Sequence, residues 1–224
     1  MRLSFIFAME EEADILKSIS IEPVWKDNLG FQLCEFDYNN HKCMAIISGI
    51  GKSFSAAATI LAIKLHNPDL IINIGLAGGI RCNVGDIIFS QKAIHHDADL
   101  TVFGYNKHQM PGLPVSISSN TDIMKQYESI ITNIPNIYTG AVLSGDQFIS
   151  NREYVQQLTV IYPEAKSIDM EAASIASVCY KAKKSFLFIK KISDLADADA
   201  TDSFKSEVNK ISDKLKIILS EILK

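Results

Sequence analysis

The chain has 224 residues, of which 47% are hydrophobic and 21% are charged, and its formal net charge is −4. This length and composition predict one globular domain over residues 1–224, with enough apolar side chains for a large core. An acidic chain without a basic stripe is not expected to bind nucleic acid. No apolar run approaches the roughly eighteen residues of a membrane span, so we expect no membrane partner either.

The cysteines and the amino-terminal run indicate the compartment. The four cysteines form no Cys-x-x-Cys pair and lie in apolar or strand-like contexts, which predicts reduced, buried thiols. The apolar run at residues 3–9 is short and leads into three glutamates, unlike the hydrophobic region of a signal peptide. We therefore expect a cytoplasmic protein.

Short apolar runs alternate with helical patterns along the chain. The first third predicts a strand over 3–8, a helix over 10–17, a hairpin of strands 31–37 and 41–47 turning at Asn39 and Asn40, and a helix over 52–66. The middle predicts strands over 70–74 and 86–89 with the glycine-rich segment 75–79 between them, a strand over 138–143 and a helix over 152–162. The last part predicts a helix over 170–183, a strand over 186–192 and a helix over 203–223. This alternation predicts an α/β fold, a mixed and mostly parallel central sheet flanked by helices on both faces.

Two glycine-rich segments resemble nucleotide-binding loops. Residues 48–53 end like a P-loop, but Ile46 stands where a P-loop needs its first glycine, and residues 75–79 lack the dinucleotide spacing. Either loop could still bring backbone N–H groups close to a polar ligand. Neither predicts ATP or NAD as a cofactor.

Two polar clusters resemble metal sites. His95 and His96 are adjacent, and neighbouring side chains of a strand face opposite ways, so we predict that they share no metal ion. The aspartates within residues 197–202 lack the glycine and the terminal glutamate of a calcium loop, which favours a solvated acidic loop. We predict no metal site.

Carboxylates lie beside the ends of the apolar runs. Glu10, Glu11 and Glu12 begin a predicted helix, where negative charge is favourable. At roughly 100° per residue these three acids cannot all face one way, so Glu11 or Glu12 could turn toward a cleft and deprotonate a water. Asp169 and Glu171 fall in the first turn of another predicted helix, where a carboxylate could cap the helix or accept hydrogen bonds from ribose hydroxyls.

A third acid and an aromatic side chain complete the set. Asp194 follows the apolar run 186–192, and desolvation there would raise its pKa, as a general acid requires. Phe148, in the segment 144–149, is a candidate stacking platform for a base, although an isolated aromatic of this kind is more often part of a core. Together the carboxylates could act on a glycosidic bond.

The order of these segments is similar to that of the methylthioadenosine/S-adenosylhomocysteine nucleosidases, within the nucleoside phosphorylase family. The segments that carry the resemblance are 8–12, 48–52, 77–79, 96–99, 144–149, 169–172 and 192–194, and they span nearly the whole chain. The resemblance implies hydrolysis of the N-glycosidic bond of methylthioadenosine and S-adenosylhomocysteine, as a step of methionine salvage. It also implies that the reaction needs no metal or organic cofactor and that the protein is a homodimer.

The resemblance also implies roles for individual residues. Glu12 would activate water, Asp194 would protonate N7 of adenine with Ser193 positioning it, and Glu171 would hold the ribose hydroxyls. Phe148 would stack on the base, whose amino edge the Ile149 backbone would read. The other implied substrate-binding residues are Met9, Ile50, Gly78, Met170 and Phe204, with Phe103, Tyr105 and Pro111 around the 5′ tail and some of these three supplied by a partner subunit.

The chain departs from the family pattern at three positions, and two alternative functions stay open. Leu76 stands where a small hydroxyl residue is frequent, Asp169 where glutamate is, and Lys190 where arginine is; these changes bear on substrate preference and rate. One alternative is a phosphate-dependent nucleoside phosphorylase, disfavoured because the glycine-rich loops offer only Lys52 and Arg81 to an anion. The other is a catalytically silent protein that binds adenosine-like ligands.

Overall fold

A mixed β-sheet runs through the computed structural model, which describes residues 1–119, 122–210 and 212–224. The strands are β1 (Arg2–Phe7), β2 (Lys26–Asn28), β3 (Phe31–Tyr38), β4 (His41–Ile47), β5 (Leu70–Gly79), β6 (Ile87–Ser90), β7 (Lys92–His95), β8 (Ile117–Ser118), β9 (Ile137–Thr139), β10 (Ala141–Ser144), β11 (Ala165–Asp169) and β12 (Ser185–Asp194). The helices are α1 (Glu10–Ala13), α2 (Lys52–His66), α3 (Asp122–Gln126), α4 (Glu128–Asn133), α5 (Arg152–Ile161), α6 (Ala172–Ala182), α7 (Ala200–Glu207) and α8 (Asp213–Ile222). Short 3-10 helices lie at Asp14–Ile19 and Thr101–Phe103.

The centre of the sheet is parallel. One path of paired strands runs β2-β3-β4-β1-β5-β11-β10-β7-β8, and β12 pairs with β5 and with β6, which also pairs with β9. Strand β5 is parallel to both β1 and β12, so the carboxyl ends of these three strands lie at the same edge. In an α/β sheet this edge is where ligands usually bind.

Alternate side chains of the buried strands pack on opposite faces of the sheet. In β1, Phe5 lies in a cluster with Ile218 of α8, whereas Ile6 lies in a cluster with Ala176 of α6. This period of two, with helices covering each face, makes the central strands apolar on both sides. The α/β fold with flanking helices is thus confirmed.

Local sequence accounts for two elements closely. Helix α2 is rich in alanine, and it ends at Asn67, which is left-handed at φ 46° and precedes Pro68. The predicted hairpin is also present, since β3 and β4 pair up to Tyr38 and His41 and leave two residues for the turn. The described helices are all too short or too polar to cross a membrane.

Two strand predictions were wrong in extent. Strand β5 does not stop at residue 74 but continues through the glycines to Gly79, because β12 and β11 both supply hydrogen-bonding partners there. The predicted strand over 138–143 is divided at Gly140 into β9 and β10, which pair with different neighbours. A side chain at residue 140 would overlap Lys166 of β11.

The helices beside the acidic segments also differ from prediction. Residues 10–17 form one α-helical turn that tightens into a 3-10 helix, and Asp169 ends strand β11 instead of beginning a helix. The closing helix over 203–223 is two helices, because Ser212 is extended at φ −74° and ψ 128° before α8 begins. Serine favours such a helix start over a helix interior. Ile211, part of the apolar spacing there, lies outside the described residues.

Candidate active site

A cavity of about 360 Å³ lies at the carboxyl ends of β1, β5 and β12. Its walls also include the end of β11, the segment after β10 and one residue of α7. The volume is within the range of pockets that bind small organic molecules. The cavity thus brings together the ends of strands that are far apart in sequence.

Glu12 lies in the wall next to β1 and β5. Its Oε2 accepts hydrogen bonds from the N–H groups of Ala8 (2.8 Å) and Met9 (3.2 Å), and its Oε1 accepts one from Leu76 (2.8 Å). Glu10 and Glu11 are exposed, so of the two acids left open by the sequence the structure places Glu12 at the cavity. Burial raises the pKa of Glu12, although the Lys190 charge and the three N–H donors oppose that rise.

Glycine is required beside this carboxylate. A Cβ atom on Gly75 would lie 2.7 Å from Glu12 Oε1, well inside van der Waals contact. A side chain there would displace the carboxylate. The glycine-rich part of β5 therefore gives the acid room against the sheet backbone.

A buried ion pair joins β12 to the end of β11. Lys190 Nζ lies 2.7 Å from Asp169 Oδ2, and both side chains are 1% exposed. The Ser144 hydroxyl donates to Asp169, and Gly51 N–H donates to Glu171 Oε1 at 2.9 Å. Burial lowers the pKa of Lys190, but the charges of Asp169, Glu171 and Glu12 outweigh it and raise that pKa overall.

The Lys190 charge does not offset the effect of burial on the pKa of Glu171. Burial raises its pKa, the Asp169 charge raises it further, and the Lys190 charge opposes both. One ammonium group thus faces three acids: Lys190 pairs with Asp169, and its charge also acts on Glu12 and Glu171. This excess of negative charge would stabilise positive charge that develops on a ligand in the cavity.

Asp194 ends β12 and lines the cavity. The Ser193 hydroxyl donates to its Oδ2 at 2.8 Å, and Ala196 N–H donates to its Oδ1 at 2.9 Å. Burial raises the pKa of Asp194 despite these two donors. The carboxyl group is therefore held in a fixed orientation and favours its protonated form more than an exposed aspartate does.

Aromatic and aliphatic side chains form the rim. The rings of Phe148 and Phe204 meet edge to face, with centroids 5.8 Å apart and planes at 77°. Phe148 is 48% exposed and Ile50 is 52% exposed. Phe148 is thus free to stack on a planar ligand and does not take the core position that is more common for an isolated aromatic.

Most of the implied site residues line this one cavity. They are Met9, Glu12, Ile50, Gly78, Phe148, Ile149, Met170, Glu171, Ser193, Asp194 and Phe204. By contrast, Phe103, Tyr105 and Pro111 are exposed and lie outside it. Gln147 and Ile168 also line the cavity but were not predicted as site residues. Only their positions next to predicted site residues in the sequence could have indicated them.

Known proteins share this fold and sequence. A family model described as the phosphorylase superfamily matches residues 2–224. A protein named 5′-methylthioadenosine/S-adenosylhomocysteine nucleosidase, from Glaesserella parasuis serovar 5, is 36% identical over 91% of this chain and 90% of its own length. The chain belongs to this nucleosidase family of the phosphorylase superfamily.

Solved structures of nucleosidases in this family superpose closely on the chain. The enzyme from Neisseria meningitidis, in complex with methylthio-immucillin-A, is 30% identical with a TM-score of 0.93, covering 100% of this chain and 98% of that one. The enzyme from Colwellia psychrerythraea 34H, in complex with adenine, is 29% identical with a TM-score of 0.89, covering 98% of this chain and 93% of that one. The nucleosidase fold is therefore shared along almost the whole length.

Proposed function

We propose that the chain hydrolyses the N-glycosidic bond of 5′-methylthioadenosine and S-adenosylhomocysteine, and releases adenine and a 5-thioribose derivative. The observation that carries the proposal is a single cavity that holds the Glu12, Glu171 and Asp194 carboxyl groups behind an aromatic rim. The names of the relatives support these substrates. We place this step of methionine salvage in the cytoplasm, since all four cysteines are free thiols.

The reaction divides its charge between sugar and base. As the bond between C1′ of ribose and N9 of adenine breaks, the ribose becomes positive and the electron pair goes to the base. Asp194 donates a proton to N7 of the base, water adds its oxygen to C1′, and Glu12 takes the proton that the water loses. Glu171 holds the 2′ and 3′ hydroxyls, and its negative charge stabilises the cationic ribose.

The rest of the cavity positions the substrate. Phe148 stacks on adenine, and the Ile149 backbone reads the amino edge of the base. Gly78 leaves space beside Asp194, because a Cβ atom there would lie 3.0 Å from its Oδ1. Met9, Ile50, Met170 and Phe204 pack around the ribose and its 5′ substituent.

Water is favoured over phosphate as the nucleophile. No lysine or arginine is among the described residues that line the cavity. Lys52 is bonded to Asp97, and Arg81 donates to the Pro163 carbonyl at an exposed position. Phosphate would therefore meet the Glu12 and Glu171 carboxylates with no cation in the described cavity lining to receive it.

A second copy of the chain would complete the 5′ end of the site. The segment around Phe103, Tyr105 and Pro111 is exposed, with Phe103 at 75% and Val102 at 83%. Neighbouring exposed apolar residues of this kind are typical of a protein interface. We therefore propose a homodimer, in which this segment reaches the partner's cavity. Sedimentation equilibrium measures the mass, and a monomer at micromolar concentration would contradict the proposal.

Adenine release from both substrates, measured with and without phosphate, tests the reaction. We expect release without phosphate and free methylthioribose as the second product. Release that requires phosphate would assign a phosphorylase, and ligand binding without any release would assign a silent binding protein.

The Asp194→Asn variant tests the acid. It should slow adenine release by about 100-fold or more and keep substrate affinity within about threefold, because the amide cannot donate the proton but preserves the shape. Asp202→Asn, which removes an exposed acid on α7, is the matched control and should keep full turnover. Normal turnover in Asp194→Asn would exclude Asp194 as the acid.

A further inference from the structure

The segment after β10 is irregular, yet it is held at several points. Residues 145–149 form no helix or strand, and they include Phe148 and Ile149 of the cavity. Asp146 N–H donates to Asp97 Oδ2 at 3.0 Å, and Lys52 N–H donates to Asp146 Oδ1 at 2.7 Å. Both the backbone and the side chain of Asp146 are therefore tied to other parts of the chain.

The Lys52 side chain binds the same aspartate, Asp97. Its Nζ lies 2.7 Å from Asp97 Oδ1 and 2.6 Å from Oδ2, so both carboxylate oxygens receive the ammonium group. The two side chains are only 22% and 17% exposed, and charge-assisted bonds are stronger where water is partly excluded. Burial would raise the pKa of Asp97, but the bonds from Lys52 and Asp146 outweigh it and lower that pKa overall.

Glycines allow the parts to approach this closely. A Cβ atom on Gly145 would lie 2.6 Å from the His96 ring, and one on Gly51 would lie 3.1 Å from Asp146 Oδ1. Gly51 also has φ +101°, which a residue with a side chain rarely adopts. Both close contacts therefore depend on the absence of a side chain at these two glycines.

The amino terminus of α2 also contacts an acid of the cavity. Gly51 N–H donates to Glu171, whereas the next N–H, that of Lys52, donates to Asp146. The amino terminus of α2 therefore contacts both Glu171, proposed to bind the ribose, and residues 145–149, proposed to bind the base. Its partial positive charge favours both carboxylates.

We propose that Lys52, Asp97 and Asp146 form a latch that positions residues 145–149 for binding of the base. The latch residues act through Phe148 and Ile149 and do not themselves line the cavity. The inference rests on the proposed function insofar as the segment binds adenine. Its own claim, that the latch restrains the segment, does not depend on turnover.

The Lys52→Met variant tests the latch, since methionine keeps most of the apolar stem and removes the ammonium group. Adenine affinity should weaken and KM for methylthioadenosine should rise, each roughly tenfold, while kcat stays within about threefold. Lys52→Arg should recover most of the affinity, because it restores the charge. Lys216→Met, which removes an exposed lysine paired with Asp213, is the matched control and should change neither value.

Hydrogen–deuterium exchange separates the latch from the reaction. Amides of residues 146–149 should exchange at least about tenfold faster in Lys52→Met than in the unmodified protein, with or without turnover. Unchanged exchange in a folded variant would overturn the latch, as would a fall in kcat with KM and adenine affinity unchanged. If Lys52→Met does not fold, Asp97→Asn provides the same comparison from the other partner. Fast exchange without adenine binding would keep the latch and reject the proposed function.

Discussion

Lys190 pairs with Asp169 and its charge acts on Glu12 and Glu171, and the Lys190→Met variant measures what that charge contributes. Methionine has a similar length and no charge, so the variant leaves the space filled. Asp169 would lose the ammonium group 2.7 Å from its Oδ2. Glu12 and Glu171 would lose the charge that now opposes the rise of their pKa. The folded protein would then hold several uncompensated acids.

The expected cost follows from the burial of the pair. Both side chains are 1% exposed, and removing one partner of such a pair typically costs about 3–5 kcal/mol of unfolding free energy. For a chain of 224 residues, each kcal/mol corresponds to roughly 2–4 °C in Tm. We therefore expect Tm to fall by about 6–20 °C.

The loss should depend on pH. Without the Lys190 charge, the pKa values of Glu12 and Glu171 rise further above those of the unfolded chain. The folded state then binds more protons than the unfolded state, so stability increases as pH falls. Thermal melts of Lys190→Met beside the unmodified protein should show the largest deficit near pH 8 and a smaller one near pH 5.5.

A double variant separates charge from packing. Asp169→Asn combined with Lys190→Met removes both charges and should regain at least half of the lost Tm, because no unpaired Asp169 charge remains. Lys216→Met, at an exposed pair, should melt like the unmodified protein. A loss of under 2 °C in Lys190→Met, a deficit independent of pH, or a double variant no more stable than the single one would contradict this role of Lys190.

Three further predictions concern the acids of the cavity. Gly75→Ala should lower kcat at least about tenfold in steady-state assays, because its Cβ would lie 2.7 Å from Glu12 Oε1; unchanged kcat would contradict that clash. Glu171→Gln should weaken the binding of an adenosine analogue with both ribose hydroxyls about tenfold, as measured by calorimetry, but leave the binding of a 2′,3′-dideoxy analogue unchanged. Equal losses of affinity for the two analogues would exclude a role of Glu171 at the hydroxyls. Because the reaction needs ionised Glu12 and burial raises its pKa, kcat/KM should fall on acidification with a midpoint above 4.5, and a lower midpoint would contradict the assignment.

The sequence was sufficient where local pattern decides the structure. The alanine-rich run predicted α2 over 52–66 with its observed ends. The apolar runs predicted carboxylates at a cleft but left Glu11 or Glu12 and Asp169 or Glu171 open, and only the family resemblance singled out Glu12 and Glu171. Strand β11 was not predicted, because the polar residues Lys166 and Ser167 break the apolar pattern, although Ser167 is buried in the structure. That strand exists because β10 and β5 offer it hydrogen bonds, which no propensity of its own residues predicts.

Contacts between distant segments were beyond the sequence pattern. The pairing of Lys190 with Asp169 depends on how β11 and β12 are placed across β5, and spacing along the chain does not determine that placement. The same holds for Lys52 and Asp97, which are 45 residues apart in the sequence. The resemblance implied that a partner subunit supplies some of Phe103, Tyr105 and Pro111, and with all three outside the chain's own cavity that role stays a prediction.

The glycines of β5 restrict how the substrate range of this protein could evolve. Gly75, Gly78 and Gly79 present bare backbone to the cavity wall or its supports, and a methyl group on any of them would approach a neighbouring side chain at 3.0 Å or less. Selection for a new leaving group would therefore find few acceptable changes along this strand. Most of the accessible variation lies in Leu76 and in the rim residues Phe148 and Phe204. A directed-evolution library should diversify those three positions and keep the glycines of β5 unchanged.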